Sequence, residues 1–350
     1  MNKPLSRRGG HLLAGIALAA TMMTASAQEV TLKIAHFLPP GSTAHAKFIT
    51  PWCDKIGKES GGKLKCQIYP AMQLGGTPPQ LIDQVRDGVA DIVWTLPGYT
   101  AGRFPAIEVF ELPFMTKTAE GSSRALWEYV KANKLDQSEF KDVHPILFHV
   151  HDEGQLHLVK GPIKQLSDFK GLKLRAPTRQ TNKFIAALGA TPVGMPVPQV
   201  SEALSKGVID GAMLPWEVVP AVKAHELVKF HTETDPQSRA LYTTVFIFAM
   251  NKAKYESLPV DLKKIIDANG GADASAWVGK VWDESAVGAR KLASDRGNQI
   301  NTVPAAELKN WETVGQSVYE SWITEVSGKG HDGKALLKSA QDLIRKDERK

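Results

Sequence analysis

Arg175 closes the run Leu172-Lys173-Leu174-Arg175, whose alternation of apolar and basic residues reads as a β-strand. An arginine at the carboxyl end of a strand in an open α/β sheet stands where such sheets bind ligands. Its planar guanidinium can grip a carboxylate through two parallel hydrogen bonds, which a lysine does less well. The plainer alternative is a surface arginine paired with an aspartate. Trp94 and Trp216 each fall just past a short apolar strand, so both are expected near strand ends, walling a pocket that keeps water from a bound charge. For either tryptophan alone, core packing is the plainer reading. His149, His151, Asp152, Glu153 and His157 form a metal-like cluster, with His149 and His151 on one strand face. No third ligand has a fixed spacing and Gly154 turns the chain before His157, so no metal is expected. Gly-x-Ser-x-Gly, His-Glu-x-x-His and P-loop patterns are absent from the sequence, and no dinucleotide-binding unit is expected. No cofactor and no enzymatic activity are expected, although a Ser/His/Asp group assembled in space stays open as an alternative.

The elements that must position these residues come partly in duplicate. Pro79-Gln80-Leu81-Ile82-Asp83-Gln84-Val85-Arg86-Asp87-Gly88-Val89-Ala90-Asp91 is echoed by Pro198-Gln199-Val200-Ser201-Glu202-Ala203-Leu204-Ser205-Lys206-Gly207-Val208-Ile209-Asp210. Each copy runs from proline into an amphipathic helix, ends it at a glycine in the C-cap place, and continues into a strand. Two copies of a helix–Gly–strand unit indicate two similar α/β lobes, and two lobes imply a cleft. Strands are expected at 30–36, 64–69, 91–95, 146–150, 155–160, 172–175 and 242–250. Helices are expected at 43–60, 180–188 and 261–268, with a long one at 272–296. Strands alternating with helices predict a largely parallel sheet.

The ends and the composition set the compartment. Lys3, Arg7 and Arg8 precede the apolar stretch Leu12–Met23 and the small-residue site Ala25-Ser26-Ala27. That is a secretory signal peptide, cleaved after Ala27. Ser6-Arg7-Arg8 partly matches a twin-arginine signal, but ordinary secretion is the expectation. The formal net charge of +6 falls by three on cleavage, since residues 1–27 carry three basic and no acidic residues. No basic stripe with interleaved aromatics appears, so no nucleic-acid partner is expected. The charged tail 345–350 is read as a solvated terminus. The mature length exceeds that of one core, so two domains are expected. Cys53 and Cys66, the two cysteines of the sequence, can form one disulfide across a short loop in an oxidising compartment. The alternative is two buried thiols.

At Gly171-Leu172-Lys173-Leu174-Arg175-Ala176-Pro177 the chain resembles the solute-binding subunits of TRAP (tripartite ATP-independent periplasmic) transporters, the DctP-like family. Further matches run in order along nearly the whole mature chain: Tyr69-Pro70, Gln73-Leu74-Gly75-Gly76, Leu112-Pro113-Phe114, Leu188-Gly189-Ala190-Thr191-Pro192-Val193 and Met250-Asn251-Lys252. The resemblance implies a two-lobed periplasmic binding protein, with hinge strands and a long helix bracing both lobes. Lobe I would comprise 28–150 plus about 241–272, and lobe II 151–240 plus about 273–350. It also implies a monomer that captures a small organic carboxylate and delivers it to an ion-gradient-driven membrane permease. Arg175 matches the family's carboxylate-clamping arginine. Gly154-Gln155-Leu156 stands where sialic-acid and dicarboxylate binders show Gly-Phe-Arg, so a second cation is not expected. Leu214-Pro215-Trp216-Glu217 resembles instead a subgroup for less polar, often aromatic, carboxylates. The expected ligand is therefore an aromatic or apolar monocarboxylate, with an α-oxygen as an option. Gln155 and His157 would hydrogen-bond its oxygens, while Phe37, Trp94, Tyr99, Trp216 and Tyr242 wall the pocket. A sugar acid or dicarboxylate is the alternative ligand; a sensing module or an enzyme is the alternative class.

Overall fold

The computed structural model describes Met1 and residues 29–348, and the expected signal peptide and the last two residues of the tail lie outside them. Eleven strands form two sheets among the described residues. They are β1 (Val30–His36), β2 (Leu64–Tyr69), β3 (Ile92–Thr95), β4 (Val143–Val150), β5 (Gly154–Leu158), β6 (Lys173–Ala176), β7 (Thr191–Gly194), β8 (Gly211–Pro215), β9 (Phe230–Glu233), β10 (Val245–Asn251) and β11 (Gln299–Thr302). The first sheet has the order β2-β1-β3-β10-β4, and the second β11-β9-β5-β8-β6-β7. Each sheet centres one lobe, and helices cover the faces of both.

The sheets are mixed rather than largely parallel. β10 runs antiparallel to β3 and β4, and β5 runs antiparallel to β8 and β9. The cause is the crossing of the chain between lobes. β4 leaves the first sheet at Val150 and β5 enters the second at Gly154; β9 leaves the second sheet and β10 re-enters the first. A strand that arrives directly from the other lobe has no crossover helix to reverse it, so it inserts antiparallel. The same crossing explains why the apolar run at 242–250 is a strand only from Val245: the residues before it bridge the lobes.

The duplicated segments fold alike, and the structure supplies the reason for each repeated residue. α2 (Leu81–Arg86) and α5 (Val200–Ser205) are short helices that bury one apolar face. Gly88 and Gly207 follow them with φ of 77° and 66°, a region that L side chains rarely adopt. The repeated aspartates then bind the start of a neighbouring strand. Asp91 donates its backbone N–H to the Lys33 carbonyl and accepts the Lys33 N–H through its Oδ2; Asp210 does the same with Lys173. Each copy therefore delivers a strand (β3 or β8) beside a partner (β1 or β6) in fixed register.

The expected helix at 43–60 opens with a π-wound turn, Ala44–Ile49, before α1 (Thr50–Glu59). Pro51 lacks the N–H that an α-helical bond to the preceding turn needs, which accounts for the change of winding. Cys53 of α1 and Cys66 of β2 are joined in a disulfide, with their Cα atoms 5.9 Å apart. The long helix Gly271–Asp295 packs on α3 (Ala119–Ala132) and β4 of the first lobe, and on the turn Trp216–Val218 of the second. Ala305–Gly328 packs on α4 (Arg179–Ala187), and the C-terminal helix Gly333–Asp347 returns to α3. Three long helices thus tie the lobes together.

Candidate functional site

Between the lobes lies a narrow slot. The carboxyl ends of β1, β3, β6 and β8 converge on it, with both hinge crossings alongside. β1 hands over to Phe37 and Leu38, and β3 to Leu96 and Tyr99, with Trp94 inside the strand; β6 presents Arg175 and then Pro177. Leu214, Pro215, Glu217 and Val218 come from β8 and its following turn, and the crossings add His151, Tyr242, Thr244 and Phe246. This is where open α/β sheets bind ligands, because the strand ends leave loops from both lobes facing one another.

Arg175 is only 2 % exposed. Its Nε donates to the Met195 carbonyl (3.0 Å) and its Nη1 to the Met213 carbonyl (2.9 Å). Burial lowers its pKa, and the phenols of Tyr99 and Tyr242 act in the opposite sense. No carboxylate pairs with it among the described residues. Taking a guanidinium out of water without an anion is costly, so the site is electrostatically incomplete until an anion enters. The two carbonyls hold the fork in place, and the tyrosines flank it. The Tyr99 hydroxyl accepts the Val197 N–H (3.1 Å), which joins a first-lobe loop to a second-lobe one. The Tyr242 hydroxyl is buried with no hydrogen-bond partner.

The rest of the wall is aromatic. Trp94 is stacked between Phe37 (4.9 Å between ring centroids) and Phe246 (4.8 Å), and its Nε1 donates to His149 Nε2 (2.8 Å). The indole thus has its polar atom satisfied on the protein side and its apolar edge free for the slot. Gly154 is glycine because of this wall: a Cβ there would lie 2.1 Å from the Tyr242 ring.

Five of the residues singled out from sequence meet at the slot: Arg175, Phe37, Trp94, Tyr99 and Tyr242. The other three stand elsewhere, each for a physical reason. Gln155 alternates away from it on β5; its Oε1 accepts the Thr234 N–H (3.2 Å), and it faces the groove along the long helix. His157 has both ring nitrogens engaged by protein, Nε2 with the Leu214 carbonyl (3.0 Å) and Nδ1 with His231 Nδ1 (2.7 Å). Trp216 donates to Glu233 (2.7 Å) and packs against His157 and His231, so its neighbours Pro215 and Glu217 face the slot in its place. Glu217 and Thr244 are polar slot residues that sequence reasoning did not place there, and His151 joins them from the histidine cluster. The signal for Glu217 was one residue away, in the Pro-Trp-Glu run. Among the described residues no group of three or more His, Cys, Asp or Glu could hold a metal ion.

Residues 34–325 match the family described as bacterial extracellular solute-binding protein, family 7. The chain belongs to that family. A TRAP solute-binding protein from Rhodoferax ferrireducens T118, in complex with copurified benzoate, is 50 % identical, with 91 % of this chain and 99 % of that chain covered and a TM-score of 0.90. A marine-metagenome TRAP solute-binding protein specific for aromatic acid ligands, co-crystallised with 3-hydroxybenzoate, is also 50 % identical with the same coverage and a TM-score of 0.89. The outer membrane transporter protein TsaT of Comamonas testosteroni is 25 % identical over 321 residues, 91 % of this chain and 93 % of its own. Family 7 solute-binding proteins share the two-lobed architecture seen here, and the slot occupies the cleft between the lobes. Among the described residues no helix is long and apolar enough to cross a membrane.

Proposed function

We propose that this TRAP solute-binding protein captures an aromatic monocarboxylate in the periplasm and hands it, chemically unchanged, to a membrane permease. The observation that carries the reading is Arg175: a buried guanidinium with no anion, at one end of a slot whose other surfaces are rings and aliphatic side chains. One cation matches one carboxylate. The Tyr242 hydroxyl, buried and without a partner, is placed to donate to the same carboxylate. The stacked rings of Phe37, Trp94 and Phe246 give the slot an apolar aromatic wall, and a flat ring is the ligand body that packs against it with least lost contact. The slot has no second cation for a dicarboxylate and few groups for the many hydroxyls of a sugar acid. The relatives bound to benzoate and 3-hydroxybenzoate support the same class. Residues 1–27 would be removed on export. The lobes would divide near 150–153, 234–244 and the start of the long helix, with 333–347 returning to the first lobe. The working form would be a monomer, and delivery rather than catalysis its task.

Calorimetry on the mature protein tests this directly. Benzoate and related aromatic acids are expected to bind, while succinate and glucuronate give no heat. Binding of succinate or glucuronate without any aromatic acid overturns the reading, and so does turnover of a bound acid followed by NMR.

A further inference from the structure

The polar groups of the slot fall into two chemical kinds. Arg175 and the Tyr242 hydroxyl can donate hydrogen bonds. His151 and Glu217 offer acceptors. His151 Nδ1 faces the Asp152 carbonyl oxygen, which can only accept, so the ring proton sits on Nδ1. Burial holds the ring neutral, with its pKa lowered to about 3. Its Nε2 is therefore an unprotonated acceptor, buried and without a partner. Glu217 is 6 % exposed, and its Oε1 is buried and unpartnered as well. The Thr43 hydroxyl hydrogen-bonds the same carboxyl, and Lys47 is the cation that acts on it.

Glu217 lines the same slot as Arg175 and the Trp94 wall. An unsubstituted aromatic acid that pairs with Arg175 would leave Glu217 Oε1 buried with nothing to bind, which costs free energy. A ligand hydroxyl brought against it would donate to it.

We propose that Glu217 is a specificity-determining acceptor for a hydroxyl on the ligand, which narrows the ligand class to hydroxyl-bearing aromatic monocarboxylates. The inference rests on the aromatic-carboxylate reading above and goes beyond it by assigning a second polar group of the ligand. Arg175 would hold the carboxylate, Glu217 would accept from the hydroxyl, and the Trp94 wall lines the same slot. A hydroxyl discriminates where a methyl cannot, because a site built to pair with a donor is left unpaired by an analogue that lacks it.

The test is calorimetry at pH 8 with benzoate, its 3- and 4-hydroxy derivatives and the matching methoxy compounds. At least one hydroxybenzoate is expected to bind about tenfold tighter than benzoate, a difference of ~1.4 kcal/mol. Its methoxy counterpart, which cannot donate, is expected to lose that gain. In Glu217→Met the ratio of hydroxybenzoate to benzoate affinity should fall to about one. Glu217→Gln, which keeps a carbonyl acceptor, should retain part of it. Benzoate binding with no preference for any hydroxy isomer, or a preference that survives Glu217→Met, overturns the assignment of Glu217 while leaving the aromatic-carboxylate reading standing. Binding of no aromatic acid at all overturns both. Should Glu217→Met fail to fold, Glu217→Gln carries the test: a hydroxybenzoate preference identical to wild type there overturns the assignment.

Discussion

Arg175 was legible because its chemistry and its position agree: a guanidinium at a strand's carboxyl end, in a run of apolar and basic alternation. The aromatic wall was legible for the same reason, since Phe37, Trp94 and Tyr99 follow or end strands. Gln155, His157 and Trp216 show where that reasoning stops. Being near a strand end says nothing about which face a side chain takes, and a one-residue step on a strand reverses it. His157 looked like a hydrogen-bonding residue and is one, but Leu214 and His231 already occupy both nitrogens. Tyr242 allows a test at this scale. Its hydroxyl is buried with no partner in the protein, so removing it should not harm the ligand-free fold. Tyr242→Phe is expected to melt at or above the wild-type temperature, yet to bind benzoate about tenfold more weakly, because a hydrogen bond to a charged group is lost. A variant with lower stability and unchanged affinity would show that the hydroxyl supports the fold rather than the ligand.

At the level of elements, the repeat carried most of the fold that could be read from sequence. Its Pro, Gly and Asp positions each have a local cause: helix entry, the left-handed turn after the helix, and a side-chain clamp on the adjacent strand. Local causes are visible in local sequence. Strand direction is not, and the expectation of largely parallel sheets failed at β5 and β10 because crossing between lobes is a property of connectivity. Gly154 illustrates a constraint that only packing reveals. It begins β5 and lets the Tyr242 ring lie against the backbone, where a Cβ would come within 2.1 Å. Gly154→Ala is therefore expected to displace Tyr242 and weaken benzoate binding at least about tenfold. Gly288→Ala, at a position with no atom within 4 Å of the added Cβ, is the control and should leave affinity unchanged. Equal affinities for the two variants in calorimetry would contradict the packing account of the slot.

Across the whole molecule, burial of ionisable groups predicts a pH profile of stability. Burial raises Glu111 to about 8, Glu139, Glu153 and Glu217 to about 7, and Asp283 to about 6. In the unfolded chain such carboxyls titrate near 4. Their contribution is full below that pH and is lost as pH rises through the folded values, because the native state then holds more protons than the unfolded one. The histidines act oppositely: His36, His149 and His151 are lowered to about 3 and His231 to about 4. Their contribution is full above about 6.5 and is lost as pH falls towards the folded values. Between about pH 4.5 and 6.5 the two sets offset one another. Thermal melts should thus show a broad plateau there, with lower melting temperatures at pH 8.5 and at pH 3.5. A melting temperature that climbs steadily from pH 6.5 to 8.5 would contradict the assignment of the buried carboxyls. The same burial underlies the proposed carboxylate binding, for Arg175 is held between two lobes without an anion of its own. Calorimetric titration of benzoate into wild-type protein and Arg175→Ala tests that claim most directly. Loss of the guanidinium strands a buried carboxylate at a cost of about 3–5 kcal/mol, so the account predicts that Kd rises by about two to four orders of magnitude while the variant still melts cooperatively. Benzoate affinity within about threefold of wild type in a folded Arg175→Ala protein would contradict it.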